Sequence, residues 1–131
     1  MGTDTLPGDP KILVVDDDPQ LLLLLTSMLA RIGPEPDTAE TAAEGMEKLQ
    51  NNKFDLLILD LMLPDKDGFE VLRELREDPR FATLPVIILS ALADPDTISR
   101  GLELGADGYL TKPYLPNTLT SRVRSILERS R

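Results

Sequence analysis

Three aspartates, a serine and a lysine carry the chemistry this sequence can offer: Asp16, Asp17, Asp60, Ser90 and Lys112 all stand at the ends of short apolar runs. Carboxylates held close together repel, and one lysine does not neutralise three of them. Such a group either raises its pKa values or recruits a cation. All-oxygen donors select a hard ion, and Mg2+ suits two carboxylates, a backbone carbonyl and several retained waters. A cation there also neutralises an incoming phosphoryl group. A weak carboxylate nucleophile can then attack phosphorus in line while amine and hydroxyl hold the equatorial oxygens. The product of that step is an aspartyl phosphate.

Other chemistries are excluded by composition. The 131 residues contain no cysteine and no histidine, which removes disulfides, thiolate zinc sites, Ser-His-Asp triads and phosphohistidine together. A formal charge of −9 opposes a polyanion, so no direct nucleic-acid binding is expected of this domain. No apolar run approaches the roughly 18 residues that cross a bilayer. The first ten residues also lack the basic and apolar regions of a secretory signal, so a cytoplasmic location without membrane contact is expected. Hydrophobic residues at 41% and charged residues at 28% give the balance of a chain that folds into one domain.

The five polar residues need elements to bring them together. Residues 1–10, rich in Gly, Pro and Asp, read as a flexible leader, and the domain as residues 11–131. From Lys11 onward, short apolar runs alternate with segments of helical period, which predicts a parallel sheet with helices on both faces. Ile12 to Val15 is the first strand. Asp18 caps a helix with Pro19 at its first position, carries a stripe Leu21, Leu25, Met28 and Ile32, and stops at Gly33-Pro34. Pro19 makes Asp18 an N-cap rather than a ligand. Glu35 to Glu40 holds a short edge strand containing Pro36. Thr41 to Glu44 has the form of a capping box opening a helix with Met46 and Leu49 inward. Leu56 to Leu59 is the third strand; the loop Pro64 to Gly68 leads to a helix with Phe69, Leu72 and Leu75 or Arg76 one turn apart. Val86 to Leu89 is the fourth strand. Asp94-Pro95 caps a fourth helix in which Asp96, Ser99 and Gly101 predict an element easily shifted. Tyr109 to Thr111 is the fifth strand, and about 116–129 the last helix, with Leu119, Val123, Ile126 and Leu127 at helical spacing. Arg122, Arg124, Arg129 and Arg131 suit the end of that helix, with a homodimer or partner surface as the alternative.

The segments ILVVDD (12–17), LLILDLMLPDKDG (56–68), VIILSA (86–91) and GYLTKP (108–113) resemble the receiver domain of bacterial two-component response regulators, over the chain from about Lys11 to its end. The resemblance implies a flavodoxin-like doubly wound five-stranded sheet in the order 2-1-3-4-5. It implies that Asp60 is the phosphoacceptor, that Asp17, Asp60 and the Met62 carbonyl ligate Mg2+ with Asp16 assisting through water, and that Ser90 and Lys112 contact the phosphate. It further implies a cis Lys112–Pro113 bond. The phosphodonor would be a sensor histidine kinase or phosphotransfer protein, and the reader an output domain or protein partner. The domain would be a switch that assists its own phosphorylation and dephosphorylation, not an enzyme acting on other substrates. Ser90 would move toward the phosphate and Tyr109 turn inward, reshaping the face of the fourth helix, fifth strand and last helix. Leu115 departs from the pattern, standing where a capping Asp or Ser is common.

Two other functions compete. A haloacid-dehalogenase-like phosphatase would use Asp16, since Asp16-x-Asp18 fits its D-x-D opening, but it needs an acidic motif after its lysine and only Glu128 follows Lys112. A docking receiver that is never phosphorylated would be marked by loss of Asp60 or Lys112, and both are present. A flavin site is disfavoured because no Ser/Thr/Gly-rich phosphate loop follows the first strand.

Overall fold

A computed structural model describes residues 9–112 and 116–129. Strands and helices alternate: β1 (Ile12–Val15), α1 (Pro19–Leu29), β2 (Asp37–Ala39), α2 (Ala42–Asn51), β3 (Leu56–Leu59), α3 (Gly68–Glu77), β4 (Val86–Ser90), α4 (Pro95–Glu103), β5 (Gly108–Thr111) and α5 (Pro116–Arg129). Among the described residues the strands of the sheet all pair in parallel, in the order β2-β1-β3-β4-β5. The Lys112–Pro113 bond, Leu115 and most of the expected leader lie outside the described residues; Pro10, at its end, is already buried.

β1, β3 and β4 are buried along their whole length, and apolar up to the final Ser90 of β4, because helices cover both faces of the sheet. Alternation divides the side chains between two cores. Ile12, Val14, Ile58, Ile87 and Leu89 meet α1 and α5, while Leu13, Val15, Leu57, Leu59 and Ile88 meet α2 and α3. The chain crosses from β2's side of β1 to β3's side, and that reversal opens the crevice at the carboxyl ends of the strands.

The helices follow the expected stripes with three refinements. α1 ends at Leu29 rather than at Gly33: the amides of Ile32 and Gly33 both bond to the Leu29 carbonyl, so the last turn tightens and still buries Ile32. Within its leucine run Leu22 and Leu25 are buried, whereas Leu23 is 72% and Leu24 52% exposed. Of the two residues offered for the third position of the α3 stripe, Leu75 is the core residue. Arg76 instead reaches the far end of the sheet, donating to the carbonyls of Gly105 and Phe81 and pairing with Asp107, whose carboxylate also accepts from Val86 N–H. α4 is seated lightly, Gly101 being its buried residue; a Cβ there would lie 2.8 Å from Ile88 Cδ1 and 3.3 Å from Tyr109 Cδ2.

Candidate functional site

Parallel register carries the polar residues to one rim. Val15 pairs with Leu59, Asp60 N–H donates to the Val15 carbonyl, and Asp16 N–H donates to the Ala39 carbonyl, so the residues just past β1 and β3 emerge side by side. Ligand oxygens of Asp16, Asp17 and Asp60 lie within 4.8 Å of one another; Asp16 and Asp60 are buried and Asp17 is exposed. On the other side Ser90 pairs with Thr111, and Lys112 N–H donates to the Ser90 carbonyl. The lysine therefore enters from β5 and places Nζ 2.8 Å from Asp16 Oδ2 and 3.4 Å from Asp60 Oδ2. Residues separated by 96 and 52 positions thus share one ion-paired cluster.

Each carboxylate is held by backbone as well. Asp16 Oδ1 accepts from Asp18 N–H, and Asp60 Oδ1 from Met62 N–H at 3.1 Å. Met62 also forms an isolated antiparallel bridge with Asp67. Asp18 caps α1, accepting from Gln20 and Leu21 N–H, as expected of a cap and not a ligand.

Burial is the largest influence on Asp60 and pushes its pKa up; the Met62 amide and Lys112 oppose this, Asp16 adds to it, and the net direction is upward. Burial pulls Lys112 down, but the bond to Asp16 and the charges of Asp60 and Asp16 outweigh it and leave the ammonium above the ordinary lysine value. Both directions reflect burial together with the two buried carboxylates, Asp16 and Asp60, that share the single ammonium of Lys112. An oxygen-only donor set with excess negative charge fits a hard divalent cation, and this cluster can hold a metal ion.

Ser90 and Tyr109 stand one step away. Ser90 is fully buried at the end of β4, and its Oγ accepts from Leu92 N–H at 3.2 Å. The Tyr109 hydroxyl donates to the Leu92 carbonyl at 2.5 Å, and burial raises its pKa while a bond with the Ser90 hydroxyl works the other way. Serine and tyrosine are therefore joined through the start of the β4–α4 loop.

Three positions near the cluster escaped the sequence reading as site residues. Asp67 caps α3 by accepting from Phe69 N–H. Asp65 accepts from Ala42 and Ala43 N–H at the start of α2, contacts that hold its carboxyl below the usual range. Gly68 sits where a Cβ would lie 2.5 Å from Leu61 Cα and 2.7 Å from the Asp60 carbonyl. Alanine in place of glycine within a helix ordinarily gains about 1 kcal/mol. Here both obstructing atoms are backbone, and forced overpacking costs about 1–3 kcal/mol or more. Gly68→Ala is thus expected to destabilise the domain by up to about 2 kcal/mol net in a urea melt; a raised midpoint would contradict the close approach.

Residues 12–124 match the family described as response regulator receiver domain. The chain belongs to that family. This receiver domain is 42% identical over 120 residues to the alkaline phosphatase synthesis transcriptional regulatory protein PhoP of Bacillus subtilis (strain 168), covering 92% of the chain and 49% of that protein. It is likewise 42% identical over 122 residues to the transcriptional regulatory protein CiaR of Streptococcus pneumoniae, covering 92% of the chain and 52% of CiaR. Among solved structures, a putative response regulator from Chloroflexus aurantiacus superposes with a TM-score of 0.86 at 36% identity, covering 92% of this receiver and 98% of that chain. The receiver spans about half the length of the curated relatives it matches. Family and strand order agree with the five-stranded switch architecture, and the haloacid-dehalogenase reading is not favoured. Among the described residues no helix is long and apolar enough to cross a membrane.

Proposed function

We propose that this receiver domain is a phosphorylation-dependent switch in a cytoplasmic two-component system, taking a phosphoryl group on Asp60 at a Mg2+ site. The observation carrying this reading is the meeting of Asp60 with Asp16, Asp17 and Lys112 at one rim of the sheet. Asp17, Asp60 and the Met62 carbonyl would hold the ion, with Asp16 acting through water. When bound, the cation supplies positive charge to the phosphoryl oxygens and so makes a carboxylate an adequate nucleophile.

The residues of the chain do the rest. An Asp60 carboxylate oxygen attacks phosphorus as the bond to the donor breaks, and the donor leaves on the opposite side. Lys112 Nζ, 3.4 Å from Asp60 Oδ2, needs little movement to reach a phosphoryl oxygen. Ser90 is different in that its Oγ accepts from Leu92 N–H, which leaves its own proton to be donated to a phosphoryl oxygen. A shift of Ser90 toward the phosphate would carry with it Leu92, whose carbonyl Tyr109 bonds, and the ring packs against Gly101, the buried residue of α4. Binding of Ser90 to phosphate would then be felt by α4, β5 and α5, the face offered to an output domain, protein partner or second copy. The phosphodonor would be a sensor histidine kinase or phosphotransfer protein. The domain assists its own phosphorylation and dephosphorylation; no other substrate is assigned to it.

Intact-mass analysis after incubation with Mg2+ and a small phosphodonor tests the proposal. One added phosphoryl group is expected, absent with chelator and absent in Asp60→Ala. An unmodified parent protein would point to a docking receiver, and turnover of a phosphate ester without labelling to a phosphatase.

A further inference from the structure

Asp65 lies in the β3–α3 loop, three residues beyond Met62, yet its partners are in a different element. Its Oδ1 accepts from Ala42 N–H at 2.8 Å and its Oδ2 from Ala43 N–H at 2.9 Å, across 23 and 22 residues of sequence. The first turn of α2 leaves such amides without intrahelical partners, and a carboxylate is their best acceptor. Thr41 Oγ1 takes the next amide, that of Glu44, and Glu44 reaches back to Glu40 N–H instead of to the cap's own amide. α2 is therefore capped twice, locally by Thr41 and from a distance by Asp65.

The distant cap closes a ring around the acidic cluster. Asp60 N–H is tied to the Val15 carbonyl and Asp16 N–H to the Ala39 carbonyl, which leads through Thr41 into α2. Asp65 joins α2 back to the loop that carries Met62. On its other side that loop is fixed by Gly68 N–H on the Leu61 carbonyl and by the Lys66–Glu74 ion pair at 2.6 Å, both toward α3. Without Asp65 the loop would keep no hydrogen bond to α2, only the apolar cluster that Leu61 and Leu63 share with that helix, and Met62 is exposed to 59% with little packing of its own to hold it.

We propose that Asp65 is a positioning residue for the metal site: by bonding the first two amides of α2, it fixes the distance between the Met62 carbonyl and the Asp16–Asp17 carboxylates. This rests on the Mg2+ reading above and adds a residue to it. Asp65 touches neither ion nor phosphate; it acts through the loop. Partners of this kind alter metal affinity by about tenfold or more when removed.

The test is a Mg2+ titration followed by backbone amide chemical shifts, on the full chain and three variants. Asp65→Ala is expected to weaken Mg2+ binding about tenfold, and Asp65→Asn, which keeps one acceptor oxygen, by less. Thr41→Ala removes the other cap of the same helix without touching the loop, and is expected to lower thermal stability while leaving Mg2+ affinity within about twofold. Unchanged affinity in Asp65→Ala would overturn the proposal, as would an equal loss in Thr41→Ala, which would make Asp65 an ordinary cap. If the parent chain itself bound no Mg2+, the proposed function would fall, a result distinct from either of these.

Discussion

Asp60→Asn is expected to melt several degrees above the parent chain at pH 7 with magnesium chelated, while losing phosphoryl uptake altogether. Burial is the main reason that Asp60 has a folded pKa above its ordinary 3.8, so the native state binds this proton more tightly than the unfolded chain does. A raised carboxyl pKa means that native stability falls as pH rises from about 3.8 through the folded value. Asparagine keeps the size and an acceptor for Met62 N–H, removes the charge, and leaves Lys112 its shorter contact with Asp16. For a domain of this size each kcal/mol recovered moves Tm by roughly 3–5 °C. The difference should shrink as pH falls through the folded value toward 3.8 and vanish below it, where the parent carboxyl is protonated in both states. Saturating Mg2+ should also narrow it, because the ion stabilises the parent by binding its folded form. Thermal melts at several pH values with and without chelator check all three parts. A variant less stable than the parent at pH 7 without metal would mean that Asp60 is not electrostatically strained.

Lys112→Ala should have the opposite effect on the resting protein and a severe one on phosphoryl uptake. Asp16, whose side chain is 2% exposed, loses the ammonium 2.8 Å away, and Asp60 loses its own cation at the same time. Removing one partner of a buried ion pair costs about 3–5 kcal/mol. The lysine side chain is 23% exposed, so water recovers part of this and a loss of about 2 kcal/mol is the fair expectation. Added Mg2+ should restore much of that loss, since it answers the same excess negative charge. It should not restore the rate: a donor aimed at charge developing in the transition state is worth about a hundredfold or more. Metal-dependent uptake, followed by intact mass against time, separates these effects. Rapid uptake without the lysine would remove it from the phosphate's surroundings and leave it a purely structural counter-ion.

Much of this could be read from the sequence because the strands are buried on both faces. A run such as Ile12 to Val15 or Leu56 to Leu59 can be little else, and its abrupt end at an aspartate marks the rim where the sheet meets water. Once the strands are parallel, residues 16, 17, 60 and 112 have no other place to go, and the structure gathers them as expected. The helix caps Asp18, Thr41 and Asp94 were legible too, since capping is local chemistry.

What stayed hidden depends on partners far along the chain or on close approach. Asp65 has no local signal that its carboxylate caps a helix more than twenty residues upstream. Gly68 looks like an ordinary loop glycine until the Asp60 carbonyl is placed against it. Arg76 falls at a core spacing, yet serves as a polar tie to Gly105, Phe81 and Asp107. Nor does a run of five leucines state which two will face outward; α1's docking on the sheet decides that Leu23 and Leu24 do. The functional assignment of Ser90 has a similar character, because its hydroxyl lies on Leu92 N–H and its expected contact belongs to another state.

The central claim is that a single carboxylate, at the end of β3, receives the phosphoryl group. Chemical reduction of the phosphorylated domain with borohydride converts an acyl phosphate to an alcohol, and peptide mapping then locates the altered residue. The account predicts conversion at Asp60 alone, only after incubation with both Mg2+ and phosphodonor. Conversion at Asp16 or Asp17, or a stable phosphate on a hydroxyl side chain with Asp60 unaltered, would contradict it.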